Sequence, residues 1–187
     1  MLINNLNIKN FIKKRIKTSK KNKISQNLKS LLSDKKQVIL SLSEDYKDSY
    51  TKKLLKKIKK YKFINLIGMG GSILGAKAIN SFVRSKLKIN FIDQYHNRLN
   101  EKNLDKNLNL IVSKSGNTLE TIANSNNLSI KSKNILITEN KNNYLMKFAE
   151  SLKAEVIHHN NFIGGRYSVL SEVGMLPAEL MKLSPKK

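Results

Sequence analysis

The sequence contains no cysteine and no tryptophan, and only two prolines occur among its 187 residues. Without cysteine the chain forms no disulfide, so a packed core must hold the fold, and this length is enough to build one. There is no apolar run of about 18 residues and no signal-peptide pattern at the N-terminus, which predicts neither a membrane-spanning segment nor a membrane partner. We therefore expect a cytoplasmic protein of a reducing compartment.

Arginine is also scarce, accounting for four of the 36 basic residues, although the formal net charge is +23. A nucleic-acid groove typically combines arginines with interleaved aromatic residues. This chain is instead rich in lysine, asparagine and isoleucine, a composition typical of AT-rich coding sequences. The pattern indicates a solvated, lysine-rich surface without a specific nucleic-acid partner, which nevertheless attracts anionic ligands.

Residues 1–61 are predicted to form an N-terminal helical extension. Within YTKKLLKKIKKY, the spacing of the apolar residues gives one stripe among lysines. Such a helix lies on a membrane surface or packs on a neighbouring domain, and the second arrangement is the more ordinary. The stripe comprises Tyr50, Leu54, Leu55, Ile58 and Tyr61.

Residues 62–187 have a different pattern, in which short apolar runs such as FINLI and LNLIV alternate with helical periods. Strand–helix alternation is typical of a parallel sheet covered by helices, and fully apolar strands indicate burial on both faces. We predict an α/β fold, a three-layer αβα sandwich with a mostly parallel, flavodoxin-like sheet. A ligand of such a sheet lies at the carboxyl ends of its strands.

The stretch GMGGS, residues 68–72, joins a predicted strand to a predicted helix. Glycine allows close backbone approach and N–H groups at a helix start attract anions, so Gly70, Gly71 and the Ser72 hydroxyl indicate a phosphate or carboxylate site. Ile73 stands where a dinucleotide-binding loop needs its third glycine, and no Gly-Lys-Ser/Thr ending follows. The alternative is a tight turn in which glycine serves geometry alone.

The stretch SKSGNTLET, residues 113–121, also follows an apolar strand and opens a helix. It carries more hydroxyls than helix capping requires, and Asn117 with Glu120 resembles a capping arrangement. We predict that this loop and the first bind one phosphate, with Lys114 adding charge, whereas the alternative is that the hydroxyls only cap the helix. The hydroxyl residues are Ser113, Ser115, Thr118 and Thr121.

The stretch IGGRYSVLSEVG, residues 163–174, places two glycines before Arg166. A Gly-Gly-Arg turn lets the backbone approach a ligand while the guanidinium binds an anion or stabilises developing negative charge. The alternative is a structural arginine in a surface turn. The three histidines, His96, His158 and His159, lack the spacing of metal ligands, so no metal site is predicted.

In this order, GMGGSILG, SKSGNTLET and GGRYSVLSEVG resemble the glucose-6-phosphate isomerase (phosphoglucose isomerase) family, over about residues 63–180. GMGGS and SGNT are also similar to bifunctional phosphoglucose/phosphomannose isomerases and to the wider sugar-isomerase-domain superfamily, whereas GGRYSVLS favours the first family. The resemblance implies a sugar-isomerase (SIS) domain at residues 62–187. It also implies interconversion of glucose 6-phosphate and fructose 6-phosphate through a cis-enediol intermediate, without a cofactor.

The resemblance further implies roles for the matching residues. Arg166 would be catalytic, steadying the negatively charged enediolate beside the reacting carbons. The side chains implied to bind the substrate phosphate are those of Ser72, Ser113, Lys114, Ser115 and Thr118. The backbone groups implied to contact the sugar phosphate are those of Gly70, Gly71 and Gly165.

The family's glutamate base, and the histidine and lysine that assist ring opening, match nothing in this chain. We therefore expect the N-terminal part of an isomerase, truncated before a second SIS domain, inactive by itself and homodimeric as the full-length protein. One alternative is a stand-alone SIS-domain protein that binds or senses phosphosugars. The other is a lysine-rich nucleic-acid binder.

Overall fold

The computed structural model describes residues 18–33, 37–95, 107–126 and 128–185, so the first 17 residues of the predicted extension and His96 lie outside the described residues. The helices are α1 (Thr18–Ser33), α2 (Lys52–Ile58), α3 (Gly71–Val83), α4 (Leu119–Ser125), α5 (Tyr144–Ser151) and α6 (Glu172–Leu180), with 3₁₀ helices at Gln37–Leu42 and Gly165–Leu170. The strands are β1 (Phe63–Gly68), β2 (Lys88–Ile92), β3 (Asn107–Val112), β4 (Lys133–Glu139) and β5 (Glu155–His159).

The described strands form one five-stranded sheet in the order β2-β1-β3-β4-β5, and every pairing in it is parallel. This is the flavodoxin-like order, which confirms the predicted fold class. Strands β1 and β3 are neighbours, and Gly68 pairs with Val112 at their carboxyl ends. Consequently, the loops that begin at Gly68 and Ser113 leave the sheet side by side.

The two faces of the sheet are buried by different helices. On one face, Leu66, Leu110 and Ile137 belong to a core cluster that includes residues of α2, α3 and α6. On the other face, Ile67 and Ile111 join a cluster with residues of α5, against which Ile122 of α4 packs. Because burial of one such side chain contributes about 1.5–3 kcal/mol, the two clusters hold the three layers together.

Helix α2 packs on the α/β core as predicted. Thr51 caps it by accepting a hydrogen bond from the Leu54 N–H at 3.1 Å. Leu54, Leu55 and Ile58 are buried in the same cluster as α6, and Tyr61 packs against that cluster. The apolar stripe of this lysine-rich helix therefore faces protein rather than a membrane surface.

A ladder of asparagine side chains crosses the sheet. The Nδ2 group of Asn90 donates to Asn65 at 3.2 Å, Asn65 donates to Asn109 at 2.8 Å, and Asn109 donates to Asn134 at 2.8 Å. The Asn134 amide donates to the Ser129 carbonyl at 3.0 Å. Three of these side chains are almost fully buried, so the ladder satisfies polar groups that burial would otherwise penalise.

Helix α1 spans 16 residues, and its apolar residues, such as Ile24 and Leu28, are exposed in the described structure. Its mean hydropathy is low because lysine, serine and asparagine are interspersed among them. Within the described ranges, no helix combines the length and the apolar character that crossing a bilayer requires.

Candidate functional site

The first loop turns sharply between β1 and α3. Gly70 has φ +52° and ψ −123°, a backbone conformation that residues with a Cβ rarely adopt. Helix α3 then begins at Gly71, and the N–H groups of Ile73 and Leu74 donate to the Gly70 carbonyl. The positive end of a 13-residue helix therefore points towards the carboxyl edge of the sheet, where it favours an anion.

The third segment packs directly on this loop. A Cβ added to Gly71 would lie 2.1 Å from the carbonyl oxygen of Gly165 and 2.9 Å from the backbone nitrogen of Arg166. The Ser168 hydroxyl donates to the Gly165 carbonyl at 2.7 Å and also approaches the Gly71 carbonyl at 3.3 Å. Glycine at position 71 is thus needed for the close approach of the Gly-Gly-Arg turn.

A cavity of about 310 Å³ opens where these two segments meet. This volume is at the lower end of the range for small-molecule sites. Ser72 and Arg166 both border the cavity, and Arg166 is exposed towards solvent. The lining residues are Met69, Gly71, Ser72, Gly164, Gly165, Arg166 and Tyr167.

The second loop holds its hydroxyls together at the end of β3. The Oγ atom of the buried Ser113 lies 2.9 Å from Oγ1 of Thr118. Ser115 accepts a hydrogen bond from the Asn117 N–H at 3.3 Å. Thr118 is the N-cap residue of α4, but its side chain makes no capping hydrogen bond. Capping of α4 is therefore not what this group of hydroxyls does.

The predicted capping of α4 by Asn117 and Glu120 is wrong. Asn117 Oδ1 accepts a hydrogen bond from the Tyr144 N–H at 2.9 Å, at the start of α5. Asn143 caps that helix by accepting from Met146 at 2.9 Å. The loops after β3 and β4 are neighbours at the edge of the sheet, so the Asn117 side chain finds its donor across the gap rather than along its own helix.

The structure brings some of the predicted site residues to the cavity and leaves others beside it. Gly71, Ser72, Gly165 and Arg166 line the cavity. The Lys114 ammonium donates to the Asn161 carbonyl at 2.7 Å, so it links the second loop to the segment before the Gly-Gly-Arg turn. The residues that lie in the adjoining loops without lining it are Gly70, Ser113, Lys114, Ser115 and Thr118.

A buried acidic group near the third segment was not predicted from the sequence. Glu172 is fully buried at the start of α6, with its carboxylate 2.5 Å from Nδ1 of His159 and 2.8 Å from the hydroxyl of Tyr46. Burial raises the pKa of Glu172, but hydrogen bonds from His159, from a backbone N–H and from Tyr46 outweigh it, so the pKa lies below its usual value. Among the described residues, no group of three potential ligands could hold a metal ion.

The sheet order is that of the flavodoxin-like α/β proteins, and the loops described above lie at its carboxyl edge. A solved structure of a hypothetical protein from Thermus thermophilus superposes with a TM-score of 0.67, at 24% identity, over 90% of this chain and 46% of that one. This similarity establishes the fold alone.

Sequence comparison is more specific. The model of the phosphoglucose isomerase family matches residues 6–182, so the chain belongs to that family. It is 38% identical over 138 residues to the glucose-6-phosphate isomerase of Borrelia garinii subsp. bavariensis, covering 63% of this chain and 26% of that protein. It is 32% identical over 162 residues to the glucose-6-phosphate isomerase of Acholeplasma laidlawii, covering 72% of this chain and 37% of the relative. The chain thus spans only about a quarter to a third of these relatives.

Proposed function

We propose that the protein carrying this chain is a glucose-6-phosphate isomerase, which reversibly converts the aldose glucose 6-phosphate into the ketose fructose 6-phosphate. The observation that carries the proposal is the convergence of Ser72 and Arg166 on one cavity, at the carboxyl edge of the sheet. Membership of the phosphoglucose isomerase family supports a phosphorylated hexose as the substrate.

The loops after β1 and β3 provide the phosphate site in this proposal. Ser72, Ser113, Ser115 and Thr118 supply neutral hydroxyl donors, the start of α3 supplies oriented N–H groups, and Lys114 adds positive charge. The pairing of Gly68 with Val112 supports one shared site, because it brings both loops to the same edge. Neutral donors and a helix N-terminus bind a phosphate through many weak contacts, with the net positive charge aiding its approach.

Arg166 acts on the reaction itself in this proposal. Aldose–ketose isomerisation moves a proton between C1 and C2 and leaves negative charge on the oxygens of the enediolate. A guanidinium whose backbone is held in place stabilises that charge more in the transition state than in the ground state. The proposal assigns proton transfer to a group other than Arg166, because a guanidinium stays protonated and cannot act as the base.

Binding of 6-phosphogluconate tests the phosphate site. Calorimetry on this chain should detect the ligand, and the double variant Ser113→Ala/Thr118→Ala should weaken its binding. Glucose, which lacks the phosphate, should not compete. The control is Ser151→Ala, since that exposed hydroxyl lies at the end of α5 and bonds only the Phe148 carbonyl among its described contacts. Unchanged affinity in the double variant would refute this placement of the phosphate.

The second candidate is a phosphosugar-binding or regulatory protein without isomerase activity. It is favoured by the cavity that Ser72 and Arg166 border, since a serine hydroxyl and a guanidinium bind an anion without any further chemistry. The intact mass of the protein made from its native locus separates the two. A mass well above 21.3 kDa supports the isomerase, for which we also propose a cytoplasmic homodimer, whereas 21.3 kDa itself supports the binding protein.

A further inference from the structure

A buried hydrogen-bonded chain connects the N-terminal segment with the Gly-Gly-Arg turn. Tyr46 donates to Oε2 of Glu172 at 2.8 Å, and Oε1 of Glu172 lies 2.5 Å from Nδ1 of His159. On the other side of the imidazole ring, Nε2 lies 3.0 Å from the carbonyl oxygen of Ile163. Both His159 and Glu172 are almost completely buried, so water does not compete for these contacts.

The partners of His159 determine where its protons are. A carbonyl oxygen can only accept, so Nε2 must carry a proton to bond Ile163. Glu172 accepts from the Tyr46 hydroxyl and from the Asn160 N–H at 3.2 Å, which favours the ionised carboxylate. The short contact between Oε1 of Glu172 and Nδ1 of His159 then shares one proton between the two buried side chains.

The buried pair of Glu172 and His159 closes the segment that carries Arg166. His159 and Asn160 precede the segment and Glu172 follows it, so the Glu172 carboxylate joins its two ends. The Ile163 carbonyl held by His159 immediately precedes Gly164 and Gly165. Inside the segment, Ser168 bonds the Gly165 carbonyl. Tyr46, which lies before the first strand in the sequence, connects to this segment by its hydrogen bond to Glu172.

We infer that Tyr46, Glu172 and His159 are positioning residues that hold the Ile163–Arg166 turn against α3, so that a residue of the N-terminal extension sets the placement of Arg166. The inference rests on the proposed function, in which Arg166 faces the sugar phosphate. His159 and Glu172 bond backbone groups of the segment, Tyr46 acts through Glu172, and none of the three lines the cavity in the described structure. Glu172 is the central member because it receives a hydrogen bond from each of the other two.

A purely structural pair would stabilise the fold without controlling this turn, and the chain provides a matched control for that case. Tyr50 donates its hydroxyl to Glu179 at 2.9 Å, which is the same contact on the same helix, α6. Neither Tyr50 nor Glu179 bonds the Gly-Gly-Arg segment in the described contacts. Tyr46→Phe and Tyr50→Phe each delete one hydroxyl that donates to a buried or half-buried glutamate.

Amide hydrogen exchange of this chain tests the inference directly. In Tyr46→Phe, the amides of Ile163 and Tyr167, which donate to the Asn160 and Gly164 carbonyls, should exchange about five- to thirtyfold faster relative to the core strands. This is the change expected for the loss of one or two kcal/mol of local stability. Tyr50→Phe should leave that ratio unchanged. Equal acceleration in both variants, or none in either, would overturn the inference.

A spectroscopic measurement tests the buried pair, and a binding measurement tests its consequence. In Glu172→Gln, the ¹⁵N signals of the His159 ring should shift relative to those of the wild type, whereas unchanged signals would contradict the proposed pairing. The affinity for 6-phosphogluconate should fall in Tyr46→Phe and not in Tyr50→Phe. If the wild-type chain binds no 6-phosphogluconate, the proposed function fails, while the exchange ratio still decides whether the three residues hold the turn. If binding occurs but Tyr46→Phe leaves it unaltered, the inference fails and the proposed function stands.

Discussion

Arg166 shows how neighbouring residues determine what a side chain can do. Its own side chain is exposed, but the backbone before it packs on Gly71, and the next turn is tied down by Ser168. A guanidinium on a fixed backbone is oriented before the ligand arrives, so less free energy is lost on ordering it. The orientation of this guanidinium therefore depends on glycines and a serine that carry no charge.

In the isomerase proposed above, replacing Arg166 by alanine should lower kcat by about 10²–10³, the usual effect of removing one group that stabilises an oxyanion. KM should rise by a smaller factor, because the enediolate carries more charge than the bound sugar. Steady-state kinetics on glucose 6-phosphate provides the measurement. Arg84→Ala is the control, since Arg84 lies at the opposite end of α3. An unchanged kcat would show that Arg166 binds ground-state substrate alone.

Glu172 should make the free energy of unfolding fall as the pH is lowered into the acidic range. Its pKa is lowered in the folded chain by His159 and Tyr46, so the folded state prefers the ionised form. The resulting stabilisation is complete above the unfolded pKa of about 4.3 and is lost as the pH falls through the lower folded value. Urea unfolding between pH 7 and pH 3 should show a smaller acid loss in Glu172→Gln than in the wild type. Identical slopes would contradict this account.

Among the secondary-structure elements, the central strands combine apolar burial with a line of amides. Asn65 of β1 and Asn109 of β3 each lie between two apolar residues of their strand, and Asn134 of β4 lies between Lys133 and Ile135. Shifting one strand by a residue would turn its asparagine into the opposite apolar layer and leave its partners unpaired. The ladder thus specifies strand register more than it adds net stability.

Replacing Asn109 by leucine should destabilise the chain by about 1–3 kcal/mol for each buried amide group that loses its partner, here on Asn65 and Asn134. The double variant Asn65→Leu/Asn109→Leu should cost less than the sum of the two single changes, because it removes both members of one hydrogen bond. Chemical denaturation of the four proteins measures this coupling. Strict additivity would show that the ladder does not act as a unit.

At the scale of the whole molecule, α2, which precedes the sheet, and α6, which follows it, together complete one of the helical layers. Ile58 of α2 is fully buried in the cluster that contains Val173, Leu176 and Leu180 of α6. Two tyrosine hydroxyls of the segment before α2 bond glutamates of α6. The predicted boundary between residues 61 and 62 is therefore crossed by core contacts, which connect the described part of the extension to the sheet and to α6.

Ile58→Ala should lower the free energy of unfolding by about 2–5 kcal/mol, as for a large-to-small change inside a domain core. The matched control is Ile24→Ala on α1, where the side chain is 56% exposed and the cost should stay within about 0.5 kcal/mol. Thermal and urea unfolding of both variants give the comparison. Equal, small effects would mean that α2 contributes little to the core.

The strands could be predicted because they depend on a local signal, namely short apolar runs, and their alternation with helical patterns predicted the parallel sheet. The loops at GMGGS and GGRYS could be predicted because their glycine, serine and arginine residues are typical of anion-binding turns. The capping by Asn117 could not be predicted, because its donor belongs to Tyr144 in another loop. The pairing of Glu172 with Tyr46 spans 126 residues and leaves no periodic trace in the sequence. Asn65 and Asn109 did leave a trace, since each stands between two apolar residues of its strand.

The contacts between α2 and α6 have a consequence for how the chain folds while it is synthesised. Tyr50, just before α2, precedes its partner Glu179 by 129 residues, so α2 leaves the ribosome long before α6, the helix that covers it. Until α6 emerges, Leu54, Leu55 and Ile58 have no complete layer to join, and apolar surface remains available for wrong associations. Closing so long a loop is also slow compared with forming neighbouring elements. Translation past Glu179 is therefore the step after which α6 can first cover the apolar face of α2.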